Sequence, residues 1–515
     1  MIETQVLTYP GVVERLGRWL ASRIVWVWVA VVVVYAAGFT GQWLPGPDTA
    51  THVLLAEALA GDGRLDHPEN ALRKIEPGLA QLMNAVGGVG WVLQAGMIAM
   101  SLATLAMWWW ALRLAAGREV AAGALVLLAL CECVYRYAFQ ALTDMPFAMG
   151  VAAVVLGYGL LVKSEGGSRK AEGLTRETRR GFDRAASVAG ISLIVFGLCV
   201  SSAFRSVWLV VFAAVATATL IDLARHRRWR TAGVLLVAGL ALVPAALMLI
   251  ARGHDESMMW SRVTSELPAT LWQMLTVNGP RLLGEAVSEA MIALDAGWWL
   301  ALPVTVIGFV GAVTLAWRTR QTLWLTLLAW FVVQWLLFMV VDRYALPVLA
   351  ILAAGWWWAA LSIERWVALR RDRPAGAAVA LVVLALWVVP NAVAMSQVLR
   401  QFRDDPYREG SRHDGGRYAG MRPAADWLAD HGAGPGDAAI LNRTRAASDV
   451  WAVHTGLTTY DGNRQGRWAE HEVLWVVAPI DQGPGRLRGA DRVELIDTLQ
   501  ASVGVWRVTL AREGG

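Results

Sequence analysis

The chain has 515 residues, of which 56% are hydrophobic and 17% charged, with mean hydropathy +0.45 and a formal net charge of +5. Soluble domains carry about 25% charged residues, so this sequence lacks the charge to coat a water-facing surface and is not read as a string of soluble domains. Its basic residues lie in short loops between apolar runs, which excludes nucleic-acid binding as the origin of the net charge and matches the membrane pattern. The three cysteines, Cys131, Cys133 and Cys199, fall in or beside apolar segments and read as small buried hydrophobes rather than a disulfide framework.

A helix needs about 20 apolar residues to cross the hydrocarbon core. Such runs occur at 23–43, 86–112, 119–134, 144–162, 188–203, 205–222, 232–251, 298–316, 322–341, 345–362 and 375–396. The first has no small-residue cleavage site after it, so it is read as a span rather than a cleavable signal. A single helix over 188–222 would be about 52 Å long, and Arg205 stands near its middle; a helical hairpin is expected instead. With the N-terminus inside, eleven spans put 22 basic residues in cytoplasmic loops, including Arg225–Arg230 and Arg365–Arg373, against nine outside. That asymmetry follows the positive-inside rule and places the C-terminus outside. Trp108–Trp110 and Trp356–Trp358 are expected to form an aromatic belt at the cytoplasmic ends. The Lys163–Arg184 loop is expected to be disordered.

The long segments fall outside: 44–85, 252–297 and everything after about 397. The transmembrane part is accordingly read as residues 1–397 and the remainder, 398–515, as a small α/β extracytoplasmic domain. Its expected strands are Ala438–Leu441, Val473–Ala478 and Val503–Leu510, with a helix around Pro423–Asp430.

Polar residues gather at this outer rim. Pro47-Asp48-Thr49-Ala50-Thr51-His52 opens the first outside loop, and an amphipathic helix follows at Val53–Ala60. Asp48 is either an N-cap for that helix or a carboxylate presented where a lipid-borne substrate would offer its reactive end; His52 lies a turn further on. Asp144, in Thr143-Asp144-Met145-Pro146, again opens a span with proline at a helix-start position. Two carboxylates at one rim suit a general base and a partner that orients it. Lys74, Arg205 and Arg343 supply cations there, which suit a phosphate or diphosphate; the competing reading is head-group contact. His52, Glu132, Arg136 and Tyr344 are further rim residues able to meet substrate. His254-Asp255-Glu256 are adjacent and cannot converge on one metal from a single helix or strand. A divalent metal stays open, but nothing in the sequence indicates one.

These residues, in this order, resemble the GT-C superfamily of membrane glycosyltransferases, and within it the branch of protein O-mannosyltransferases and bacterial aminoarabinose transferases. Thr143-Asp144-Met145-Pro146 and Arg343-Tyr344-Ala345-Leu346-Pro347 fit the family pattern well, and Arg422-Pro423-Ala424-Ala425-Asp426-Trp427-Leu428 is similar at the ectodomain start. Pro47-Asp48-Thr49 has threonine where glutamate is common, with His52 in place of tyrosine; Arg73-Lys74-Ile75-Glu76-Pro77-Gly78-Leu79 matches a Lys/His-Pro-Pro-Leu stretch only loosely, and Ala203-Phe204-Arg205-Ser206 replaces a Thr-Lys-Gly-like tip. The resemblance implies a GT-C-like polytopic fold of about eleven helices and an inverting transferase of the cytoplasmic (inner) membrane. It implies a sugar donor on a polyprenyl phosphate, a lipid, glycan or protein acceptor, Asp48 as general base and Asp144 beside it. The alternative is a secondary transporter or flippase for a lipid-linked or anionic substrate. That would place polar residues at mid-membrane in repeated halves, whereas these midspans are nearly all apolar and no repeat is visible. A non-catalytic membrane sensor would leave the clustered rim charges unaccounted for.

Overall fold

The computed structural model describes residues 10–40, 47–61, 78–87, 90–140, 142–166, 176–205, 208–226, 233, 272–282, 287–293, 298–337, 342–371, 373–404, 428, 438–442, 458–461, 473–479, 490–499 and 503–510. They belong to two units, residues 1–39 with 95–398, and residues 40–94 with 399–515.

In the first unit the apolar runs become helices: α1 (Val12–Ser22) and α2 (Ile24–Ala37) precede α3 (Pro47–Ala60) and α4 (Gly78–Ala85) of the other unit, then come α5 (Trp91–Ala116), α6 (Arg118–Ala129), α7 (Glu132–Tyr137), α8 (Asp144–Gly166), α9 (Arg176–Phe204) and α10 (Trp208–His226). After a π-helical turn at Met274–Asn278 follow α11 (Val287–Ile292), α12 (Trp298–Arg318), α13 (Thr322–Leu337), α14 (Leu346–Arg370) and α15 (Arg373–Asp404). Among the described residues seven of these, α5, α8, α9, α10, α12, α14 and α15, are long and apolar enough to cross a membrane; α1 and α2, bent by 80°, make an eighth if taken as one span. The chain is an integral membrane protein.

The expected span at 232–251 lies outside the described residues. The one at 119–134 differs from expectation: α6 has only 12 residues, about 18 Å, and α7 follows after a break. Small residues explain its place, since Ala121, Ala122, Gly123 and Ala124 are buried and let neighbouring helices close around it. The break at Arg205 between α9 and α10 falls where the length argument put it. The Lys163–Arg184 segment is shorter as a loop than expected, because α8 runs to Gly166 and α9 starts at Arg176; Ser187 donates to the Ser164 hydroxyl at 3.1 Å, tying the two helices together there.

The tryptophan triplets do not form the expected belt. Successive helical residues turn by about 100°, so three in a row cannot share a lipid-facing side. Trp108, Trp356 and Trp357 are buried while Trp110 is exposed, and Trp356 donates its indole N–H to the Val383 carbonyl at 2.9 Å. Isolated tryptophans such as Trp19, Trp317 and Trp366 are exposed instead.

Close helix crossings rely on glycine. Gly150 and Gly157 on α8 face Gly197 and Gly190 on α9, so that a Cβ at Gly190 would sit 2.8 Å from the Gly157 carbonyl oxygen and 3.0 Å from Leu161 Cγ. Lipid-embedded helices gain by such van der Waals contact because apolar burial drives little there. Gly190→Val is therefore expected to force α8 and α9 apart, costing about 1–3 kcal/mol and lowering the apparent melting temperature in detergent. Gly159→Ala, whose Cβ would meet only Leu114 Cδ1 at 3.9 Å, serves as control. A parental melting temperature for Gly190→Val would refute the crossing.

Two buried carboxylates tie elements together. Asp222 on α10 accepts hydrogen bonds from Tyr158 on α8 and from Thr322 on α13, the latter at 2.5 Å. Glu364 on α14 receives the N–H groups of Val12 and Val13, the second at 3.1 Å, at the N-terminus of α1, where orphan donors and the helix dipole favour an anion.

In the second unit α3 packs on α4, and five strands, β1 (Ala438–Asn442), β2 (Thr458–Asp461), β3 (Val473–Pro479), β4 (Ala490–Leu499) and β5 (Val503–Leu510), form one sheet in the order β2-β1-β3-β5-β4. The three expected strands are β1, β3 and β5. β1 pairs in parallel with β2 and β3, and β5 is antiparallel to β3 and β4. β3 is covered on both faces, with Leu474–Ala478 all buried, as its unbroken apolar run requires. Of the expected helix at Pro423–Asp430 only Leu428, helical and buried, is among the described residues.

Candidate functional site

At one end of the first unit, α8 begins, α9 and α13 end, and α14 begins after a 3-10 turn at Asp342–Ala345. Their termini enclose a small cleft lined by Asp144 and Phe147 of α8, Arg205 after α9, Phe331 and Gln334 of α13, Tyr344 of the turn and Pro347 of α14. Asp144 is the first residue of α8, so its carboxylate lies where the helix dipole favours negative charge. It pairs with the Arg205 guanidinium, and the two side chains are only 4% and 15% exposed. Arg205 also lies 4.6 Å over the Tyr344 ring centroid, a cation–π distance. The cation is thus held from two sides, its aromatic and carboxylate partners coming from helices far apart in sequence. Three of the rim residues singled out in the sequence, Asp144, Arg205 and Tyr344, converge here.

Glu132 and Arg136 form a separate pair one turn apart on α7, Nε to Oε1 at 3.3 Å, both largely buried. Arg136 lies 4.8 Å over the Tyr137 ring. The Glu132 N–H donates to Asn391 Oδ1 at 2.7 Å, and Asn391 in turn donates to the carbonyls of Met291 and Trp387 at 2.7 and 2.8 Å. This small network anchors α7 to α11 and α15.

Asp48 and His52 belong to the second unit. Pro47 is the first residue of α3 and Asp48 the second; the proline has no N–H to waste there. The Asp48 side chain is outside the described residues, while His52, one turn on, is buried. Arg343 stands in the 3-10 turn next to Tyr344, its side chain outside the described residues. Lys74 and His254-Asp255-Glu256 lie outside them altogether. Among the described residues no group of three or more His, Cys, Asp or Glu side chains is placed to hold a metal ion.

Sequence reasoning passed over Gln334 and Asn391. Each is a lone amide in an apolar helix, and that was a usable signal, because a polar side chain in a membrane span needs a reason to be there. Phe147 and Phe331 could not have been singled out, since an aromatic in an apolar run carries no mark of the wall it lines.

The fold is that of a polytopic α-helical membrane protein with a small strand-containing C-terminal part. Two solved structures of ArnT from Cupriavidus metallidurans share it. The one bound to undecaprenyl phosphate superposes with TM-score 0.55 over 96% of this chain and 99% of that one at 14% identity; the apo form gives 0.54 over 95% and 98% at 13% identity. The apo oligosaccharyltransferase of Archaeoglobus fulgidus matches at TM-score 0.51 and 13% identity, over 89% of this chain and 70% of that one. No protein-family profile and no curated protein matches in sequence.

Proposed function

We propose that this protein is a glycosyltransferase that moves a sugar from a polyprenyl phosphate carrier to a lipid, glycan or protein acceptor at the outer face of the cytoplasmic membrane. The observation that carries the reading is a guanidinium held by a carboxylate and an aromatic ring in a cleft among apolar helix ends, in a fold whose ArnT counterpart binds undecaprenyl phosphate. A phosphodiester on a lipid chain needs such a cation beside an apolar surface. In the proposed orientation the N-terminus is inside and the C-terminus outside, so the cleft faces outward.

In the proposed reaction the acceptor oxygen or nitrogen attacks the anomeric carbon from the face opposite the phosphate. The carbon–oxygen bond to phosphate breaks, its electron pair leaves with the phosphate, and the configuration inverts. Asp48 takes the acceptor's proton. Arg205, Lys74 and Arg343 neutralise the departing phosphate, and Asp144, its Oδ1 already engaged by Arg205, orients that cation rather than acting as base.

Incubating the purified protein with radiolabelled polyprenyl phosphate sugars and separating products by thin-layer chromatography tests the proposal; label that stays on the carrier with every acceptor class would reject it. Lys74→Ala and Arg343→Ala are expected to weaken donor binding by about 1–3 kcal/mol each, as a charged hydrogen bond is lost. Unchanged donor affinity in both would mean that these cations contact only head groups.

A further inference from the structure

The cleft contains one polar group that the phosphate chemistry does not use. Gln334 lies in the last turn of α13, in the run Phe331-Val332-Val333-Gln334-Trp335-Leu336-Leu337. It lines the cleft with Asp144, Arg205 and Tyr344, is 5% exposed, and its buried Oε1 has no hydrogen-bond partner among the described residues. An unsatisfied buried amide oxygen is costly and rare in native structures. It is retained where something else supplies the donor. The phosphodiester of a lipid-linked sugar has only acceptor oxygens at neutral pH, and its hydrocarbon chain has neither donors nor acceptors. The donors such a molecule carries are the hydroxyl and amino groups of its sugar.

We propose that Gln334 is a specificity-determining residue whose carboxamide oxygen accepts a hydrogen bond from a hydroxyl or amino group of the donor sugar, while the Arg205–Asp144–Tyr344 cluster holds the phosphate. This rests on the lipid-linked donor proposed above. A site with a buried acceptor discriminates by leaving that acceptor unpaired when the wrong substrate enters. Position 334 therefore reads the sugar, and the carrier is recognised elsewhere in the cleft.

The test uses the full-length protein in nanodiscs and measures binding of bare undecaprenyl phosphate and of undecaprenyl phosphates carrying mannose, glucose or arabinofuranose. For the sugar-bearing carrier that the parental protein prefers over the bare one, Gln334→Leu is expected to weaken binding about tenfold, the worth of one neutral hydrogen bond. Affinity for bare undecaprenyl phosphate should be unchanged. The melting temperature of Gln334→Leu should equal or exceed the parental value, because an apolar side chain of similar volume replaces an unpaired amide. Undiminished preference for the sugar-bearing carrier in Gln334→Leu overturns the inference while leaving the transferase reading intact. Equal loss for bare and sugar-bearing carriers also overturns it, since the residue would then act on the phosphate or on folding. A parental protein that binds no sugar-bearing carrier better than the bare one overturns the inference together with the reading on which it rests.

Discussion

Asp48→Asn is expected to yield a folded protein that binds donor normally and transfers sugar about 10²–10⁴-fold more slowly, the usual contribution of a positioned general base. The substitution keeps the shape of the side chain and removes its proton affinity. Because Pro47 opens α3 and Asp48 follows it, the structural cost is limited to the lost attraction between a carboxylate and the helix N-terminus, about 0.3–1 kcal/mol. If Asp48 only supported the start of the helix, transfer would therefore stay near parental. Expression level and thermal midpoint separate a folding defect from a chemical one. A folded Asp48→Asn protein working at the parental rate would end the assignment and move the base to Asp144 or Glu132, each of which is already ion-paired.

The second large effect is expected at the Asp144–Arg205 pair. Removing one member of a buried ion pair leaves the other charge uncompensated and costs about 3–5 kcal/mol, whereas replacing both by apolar groups is often neutral. Asp144→Leu and Arg205→Met should thus each lower the apparent stability, and the double variant Asp144→Leu/Arg205→Met should recover most of it. Transfer should be lost in all three, since Arg205 is absent from two of them and has lost the carboxylate that orients it in Asp144→Leu. Thermal inactivation in detergent, read alongside donor binding, resolves the two effects as a double-mutant cycle. Single variants as stable as the parent would show that the pair is solvated and adds nothing to the fold. A double variant that still binds donor would remove Arg205 from the phosphate site.

The sequence by itself determined that the chain is a helical membrane protein, because hydrocarbon admits only apolar runs long enough to satisfy their own backbone. It placed the break at Arg205, since no span accommodates an arginine at the centre of a helix of that length. It picked out Asp144, Arg205 and Tyr344 as charged or aromatic residues gathered at span boundaries on one rim. It placed β1, β3 and β5 from alternating or continuous apolar runs between turn residues.

Only the tertiary structure decided which of those residues meet. Asp144 and Arg205 are 61 positions apart, and nothing in either loop names the other as its partner; the partnership follows from the glycine crossings that bring α8 and α9 together along their length. It was also tertiary packing that shortened the 119–134 span to α6, because a helix surrounded by protein does not need the length that lipid demands. The direction of Trp108, Trp356 and Trp357 was settled the same way: a tryptophan at the end of a span suits the interface and the core equally, and what chooses is whether another helix stands beside it. Gln334 shows the reverse limit. Its polarity was visible in the sequence, but whether its amide was satisfied by a neighbouring helix or left open depended on which side chains packed around it.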